Sequence, residues 1–427
     1  MRWTLPLLML TACAPMVSRE SETDLERARR ILSTTPLIDG HNDLPWAIRE
    51  SRTGPRDVDA YDLRRRTAGH TDLERLRQGM VGGQFWSIYI PGEIADSGFA
   101  RVQLEQIDIA RRIVERYPEM FEWALTARDL RRVHKEGKIG SVLGLEGGHA
   151  IENSLGTLRV YHDLGARYMT LTHNVTTDWA DAALDSATHG GLTEFGKEVV
   201  REMNRLGMLV DLSHVSPATM SDALEVTAAP VIFSHSGAQG VVNHKRNVPD
   251  AILKRLPANG GVVMVPFVTA FVSREVAAYA HEDALFQAEI RKRHGRDTVA
   301  VRREITARRV ANPPPSATIP NVVEQIEYVR RVAGADHVGI GGDFDGITDV
   351  VVGLEDVSKY PALFAELVRR GWSDEDLRKL AGENILRAME RAEQVSANLR
   401  KIRGPSTRTI GELDGPPRPA RKRRAAP

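Results

Sequence analysis

Cysteine is all but missing: Cys13 stands alone among 427 residues. No disulfide can form within the chain and no zinc can sit on a cluster of thiolates, so a bound metal would have to be held by His, Asp or Glu. Excess charge is missing too, with 58 Lys+Arg against 57 Asp+Glu. That balance excludes the basic surplus of a dedicated nucleic-acid binder, and no nucleic-acid partner is expected. The apolar run at residues 5–10 is far too short to span a bilayer. What remains is ordinary: 42% hydrophobic and 27% charged residues describe a globular chain, not a disordered, collagen-like or coiled-coil one. The length allows one large α/β domain or two to three smaller ones.

The chain begins MRWTLPLLMLTAC. Arg2 supplies a positive end and residues 5–10 a short apolar core, the layout of a secretory signal. Leu10-Thr11-Ala12-Cys13 resembles the bacterial lipobox, in which the signal is cut before a cysteine that then carries lipid. The expectation is a signal peptide over 1–12, lipid on Cys13 and a polar tether over 13–24. The protein would be exported and held on a bacterial cell membrane by its lipid. If the motif is a chance one, the exported form is soluble. At the other end, residues 404–427 carry Gly, Pro and the basic cluster Arg418, Arg421, Lys422, Arg423 and Arg424. This stretch reads as a disordered basic tail.

Between these ends, short apolar runs alternate with longer helical stretches. The runs lie at 36–41, 84–90, 141–146, 168–173, 208–214, 230–235, 261–267 and 337–343. Near-continuous apolar runs of this length suit parallel strands buried on both faces. Helical spacing marks 102–117 and 195–206, and Ser216 before Pro217 marks a helix start. Eight such units over this length predict an α/β fold, a (β/α)8 barrel of the metal-dependent hydrolase kind. The open doubly wound sheet is the competing architecture. Six of the runs end at a residue able to bind metal or move a proton: His41, Glu146, His173, His214, His235 and Asp343. A barrel brings its strand ends to one face, whereas an open sheet spreads them along a line. The charged segment 276–320 fits the barrel poorly and reads as a helical excursion between strands seven and eight.

The pair His41 and Asp43, two residues apart at a strand end, can point to one side and grip one ion. With Glu146, His214 and His235 on other strand ends, the set suits two divalent ions sharing an anionic bridge, and Glu146 is the natural bridge. A carboxylate buried among imidazoles is costly without a cation. Asp211 and Ser234 sit where they can orient these ligands or simply bond within the core. His149 reads as a structural hydrogen-bonding residue. Asp345 could share the face of Asp343, but Asp343 ends its run directly. Arg246 is either a site cation or a surface neighbour of Lys245.

The blocks Ile38-Asp39-Gly40-His41-Asn42-Asp43-Leu44-Pro45, Leu145-Glu146-Gly147-Gly148-His149 and Thr170-Leu171-Thr172-His173-Asn174 recur in one family. So do Val210-Asp211-Leu212-Ser213-His214, Ile232-Phe233-Ser234-His235-Ser236 and His244-Lys245-Arg246-Asn247. With these the sequence resembles the renal (membrane) dipeptidase family of binuclear zinc peptidases, in order over nearly the whole folded region. The resemblance implies one catalytic (β/α)8 domain over 25–403 and two Zn2+ per subunit. It implies His41 and Asp43 on the first zinc, His214 and His235 on the second, and Glu146 between them. His173 would face the scissile carbonyl and the oxyanion. Arg246 would hold the C-terminal carboxylate of the dipeptide. Asp343 would move the proton and help bind the free amino group.

The physical reading agrees: a hydroxide shared by two zincs is a nucleophile near neutral pH. A guanidinium fork matches a terminal carboxylate. The expected reaction is zinc-dependent hydrolysis of dipeptides, tolerating a D-residue at the C-terminal position. With one cysteine, a homodimer would be noncovalent. The alternative is a metal-dependent N-acyl-amino-acid deacylase or amidase on the same barrel. A binding lipoprotein with a decayed site is the rival from another class, and the complete ligand set counts against it.

Overall fold

The structure is a computed structural model that describes residues 22–94 and 98–415. The expected signal, Cys13 with its expected lipid and most of the expected tether lie outside the described residues. Nine parallel strands form one sheet: β1 (Leu37–Asn42), β2 (Val81–Ser87), β3 (Phe121–Trp123), β4 (Ile139–Glu146), β5 (Ala166–Thr170), β6 (Leu209–Asp211), β7 (Val231–Phe233), β8 (Val262–Val265) and β9 (Val338–Ile340). β1 pairs with both β2 and β9, and β2 pairs with β4, so eight strands close on themselves into a (β/α)8 barrel. The extra strand, β3, was not expected from its sequence. It pairs only with the first residues of β4, from Ile139 to Ser141, while β5 pairs with that strand from Leu143 onward.

Five strands are shorter than their apolar runs: β8 covers only Val262–Val265 of the run 261–267, and four others end before a candidate site residue. β5, β6, β7 and β9 stop at Thr170, Asp211, Phe233 and Ile340. His173, His214, His235 and Asp343 therefore sit two to three residues beyond the ladder, in the turns that follow. The second strand is displaced, ending at Ser87 rather than near Ile90.

Helices connect the strands for the local reasons read in the sequence. Thr193 caps the helix Glu194–Leu206 by accepting from the Gly196 amide, and Phe195, Val199, Val200 and Met203 turn inward. Left-handed Gly207, at φ 82°, ends it. Ser216 caps Pro217–Val226 through the Thr219 amide, with proline in the first turn. The helix Asn384–Ile402 closes the end of the barrel away from the site. Its Ile385, Leu386, Met389 and Ala392 join one apolar cluster with Ile38, Phe85, Val142, Leu209, Ile232, Val262 and Met264 from the strands. The barrel interior is therefore a packed floor beneath the upper rim. The excursion between β8 and β9 is a helical hairpin, Arg274–His294 and Thr298–Ala311.

Residues 404–415 depart from the disorder expected of them. Arg159 donates to the Ser406 carbonyl, the Ser406 amide meets buried Glu202, and Asp414 accepts from the Phe195 amide. A short helix, Ile410–Asp414, ends this strap. Its Gly and Pro content hid the anchoring, which combines these polar bonds with two apolar side chains, Ile410 and Leu413, packed against the core. Residues 416–427, with the whole basic cluster, lie outside the described residues. Among the described residues no helix is long and apolar enough to cross a membrane.

Candidate metal centre

Glu146, the last residue of β4, lies at the centre of the upper rim and is buried. Its two oxygens face different partners. Oε2 is 3.5 Å from His41 Nε2 and accepts from the Ser87 hydroxyl at 3.1 Å. Oε1 is 3.1 Å from His214 Nε2, 3.4 Å from His235 Nε2 and 4.0 Å from His173 Nε2. Asp43 Oδ2 is 3.3 Å from His41 Nε2, so the His-x-Asp pair does turn two ligand atoms to one point. His214 Nε2 and His235 Nε2 are 2.9 Å apart. The carboxylate of Asp343 joins the ligand atoms of His41 and Asp43 in one group no wider than 4.8 Å.

The other ring nitrogens of the three buried histidines are already engaged, which decides which nitrogen is left for a cation. Tyr168 Oη donates to the Gly40 carbonyl and so receives the His41 Nδ1 proton, at 2.9 Å. Asn174 Oδ1 accepts from His214 Nδ1 at 3.0 Å. Ser234 Oγ donates to Asp211 at 2.7 Å and meets His235 Nδ1 at 2.8 Å. In the neutral imidazole each arrangement favours the proton on Nδ1 and turns Nε2 with its lone pair toward Glu146. His41 Nε2 is buried with no hydrogen-bond partner. An orphaned lone pair in a rim of imidazoles and carboxylates fits a divalent cation of the zinc kind, which takes nitrogen and oxygen ligands. Space for the Tyr168 ring is made by Gly144, where an added Cβ would lie 2.0 Å from the phenol carbon Cζ.

Charge follows the same division. Burial alone would raise the Glu146 carboxyl, yet His41, His214 and His173 outweigh it and hold the group well below the usual carboxylate range. Burial, aided by Arg246, pushes His214 and His235 well below the usual imidazole value, so both are neutral ligands. His173 is lowered too, chiefly by burial. Burial, with Asp43 and Glu146 nearby, pushes the Asp343 carboxyl well up, so it can hold a proton that the ligand carboxylate cannot.

Arg246 stands apart from the ligands. It is 2% exposed, and no carboxylate lies within ion-pair distance of its guanidinium among the described residues. Its nitrogens make only long hydrogen bonds, 3.4 Å to Ser236 Oγ and 3.5 Å to the His235 carbonyl. Phe271 lies beneath the guanidinium at 5.3 Å. Burial pushes its pKa down to about 10, still leaving a cation at neutral pH. The alternative of a surface cation is thus excluded. Asp345 turns away from the centre, accepting from the His70 amide. His149 bonds the Ile90 carbonyl at 3.0 Å, the structural part expected of it.

Several contributors were not read from the sequence. Asn174 was quoted only as the neighbour of His173, and Ser87 was hidden by placing the end of its strand three residues late. Tyr168 reaches His41 across 127 residues of chain, a contact no local pattern signals.

Comparison with known proteins agrees with this picture. A model of the family described as membrane dipeptidase (peptidase family M19) matches residues 25–403. A metallopeptidase from Rhodobacter sphaeroides, solved with a phosphinate mimic of the dipeptide L-Ala-D-Ala, is 26% identical with a TM-score of 0.68. The match covers 84% of this chain and 99% of that one. The probable dipeptidase PvdM from Pseudomonas aeruginosa shares the fold, at 24% identity and a TM-score of 0.76, over 87% of this chain and 99% of that one.

Proposed function

Since the chain belongs to the membrane dipeptidase family, we propose that it cleaves free dipeptides, including those ending in a D-residue, with two zinc ions on the rim built around Glu146. In this reading His41 and Asp43 would hold one ion, His214 and His235 the other, and Glu146 would serve both. When bound, the ions supply Lewis acidity and a hydroxide nucleophile near neutral pH. The chain's own groups supply the rest.

Arg246 carries the assignment of substrate. A buried guanidinium without a carboxylate partner is an anion site awaiting its anion, and the planar fork pairs with a terminal carboxylate. Holding that carboxylate fixes the peptide bond one residue away. His173, half-buried and neutral, sits between Glu146 and Tyr89, its ring 4.7 Å from the tyrosine, and donates to the oxyanion that develops on the scissile carbonyl. Asp343 takes the proton from the attacking water and passes it to the leaving amine. Its carboxyl oxygens also accept hydrogen bonds from the free amino end, which selects two-residue substrates. Tolerance for a D-residue is supported by the dipeptide mimic bound to the Rhodobacter relative. The carboxylate clamp reads only the terminal carboxylate and leaves the last side chain unconstrained in hand. Anchoring through lipid on Cys13 outside the cytoplasm completes the proposal and rests on the sequence motif.

The test is a panel of L-Ala-L-Ala, L-Ala-D-Ala, a tripeptide and N-acetyl-alanine, offered to zinc-loaded protein. Both dipeptides should be hydrolysed, activity should vanish with a chelator, and zinc should restore it. Cleavage of the acetylated amino acid alone would move the protein to the deacylase class.

A further inference from the structure

Asp39 lies on β1 two residues before His41 and is fully buried. Its Oδ1 accepts two backbone amides from different strand ends: that of His41, at 2.9 Å, and that of Gly342, at 2.9 Å. Its Oδ2 accepts from the Tyr360 hydroxyl, 321 residues away in sequence. The residue after Gly342 is Asp343, whose backbone is left-handed at φ 62°. A side chain rarely adopts that conformation unless its neighbours fix it. Here the Asp343 amide donates to the His41 carbonyl at 3.1 Å, and the Asp43 amide to the Phe344 carbonyl at 2.9 Å. The ends of β1 and β9 are thus interlocked, with the Asp39 carboxylate at the root. Gly342 fits closely over it: an added Cβ would lie 3.0 Å from Asp39 Oδ2 and 3.1 Å from the Tyr360 hydroxyl.

The second half of the centre has a separate carboxylate in the same relation to its strands. Asp211 Oδ1 accepts from the amide of Ser213, on its own strand end, at 3.1 Å and from that of Ser234, after β7, at 2.8 Å. Its Oδ2 accepts from Thr170 and Ser234 hydroxyls. There too the following functional residue, His214, is left-handed, at φ 67°. The two halves therefore rest on different buried aspartates with no shared bond.

We propose that Asp39, braced by Tyr360, is the positioning residue that sets His41, Asp43 and Asp343 relative to one another, and that it governs only this half of the centre. The inference rests on the dipeptidase reading above for its kinetic consequences, but not for its metal-binding ones. Loosening Asp39 lets the His41–Asp43 pair and the Asp343 turn drift apart. His214, His235 and Arg246 keep their places, because Asp211 and Ser236 hold that side.

The experiment compares parent, Tyr360→Phe and Asp39→Asn, with Asp211→Asn as the opposite control. Metal-free protein is titrated with zinc by calorimetry, and kcat and KM are measured on L-Ala-L-Ala. Tyr360→Phe keeps the ring and its packing, so it reports even if Asp39→Asn fails to fold. The expected result is one zinc bound as in the parent and the other weakened about 10- to 100-fold, the usual cost of losing a group that orients ligands. kcat should fall at least about tenfold, and KM should rise by less than that, since Asp343 loosens its hold on the amino end while Arg246 is untouched. Asp211→Asn should weaken one zinc as well, and combining it with Tyr360→Phe should weaken both. Equal weakening of both ions in Tyr360→Phe, alongside a lowered melting temperature, would show a general structural role and overturn the proposal. Parent-like binding of both ions would overturn it too. If the parent cleaved no dipeptide, the functional reading would fall while the titration still decided the role of Asp39.

Discussion

Replacing Glu146 by Gln should abolish dipeptide turnover, lowering kcat by at least about 10³-fold, or roughly 4 kcal/mol of transition-state stabilisation. The reason lies in the two faces of the carboxylate. Oε2 addresses His41 and Oε1 addresses His214 and His235, so each face of the group would serve one ion of the proposed pair. A glutamine can be oriented either way, but one face then presents an NH2 group to a cation. It also lacks the charge that offsets two divalent ions in a buried rim. The zinc content of the variant should drop below that of the parent, measured by elemental analysis after gel filtration. Full turnover with undiminished zinc would remove the bridging role.

Arg246→Ala should act on binding instead. The guanidinium lies buried without a carboxylate partner, at a cost to the free enzyme that is recovered only when an anion arrives. Truncation should raise KM for a free dipeptide about 10²-fold, ~3 kcal/mol for a desolvated charge pair, while kcat changes far less. The fold should tolerate the change, since the group removed is an uncompensated cation, and the melting temperature should move by no more than a few degrees. The decisive comparison uses the dipeptide and its C-terminal amide. In the parent the amide should be cleaved with a kcat/KM about 10²-fold lower; in the variant the two substrates should become nearly equivalent. Equal cleavage of acid and amide by the parent would show that Arg246 does not read the carboxylate.

Much of this was legible because a parallel barrel writes its strands as continuous apolar runs. β1 and β4 lie almost where their runs lie, and each carries its ligand at the upper end: His41 on β1, with Asp43 one residue past it, and Glu146 on β4. Elsewhere the apolar run continued past the last ladder bond, and His173, His214, His235 and Asp343 turned out to be held by turns. Two of those turns are left-handed at the functional residue itself, His214 and Asp343. Sequence pattern assigns such residues to strands, because their neighbours are apolar and buried for a different reason: they line the rim.

β3 was invisible because Phe121, Glu122 and Trp123 make too short a run and pair along only part of one neighbour. The groups that orient the ligands were the least legible. Tyr168 reaches His41 from β5 and Tyr360 reaches Asp39 from the start of the helix Tyr360–Arg369, and both look like ordinary core aromatics in sequence. The strap at 404–415 looks disordered in sequence because its attachment uses only two apolar side chains, Ile410 and Leu413, with single polar contacts to Glu202 and to the start of the helix at Glu194.

The central claim is that one carboxylate, Glu146, joins two cations that are otherwise held by separate pairs, His41 with Asp43 and His214 with His235. Anomalous diffraction at the zinc edge from crystals of the zinc-loaded protein tests it most directly. Two peaks should appear about 3.5 to 4 Å apart, one on each side of Glu146. A single peak in fully active crystals, or a second ion away from Glu146, would contradict it.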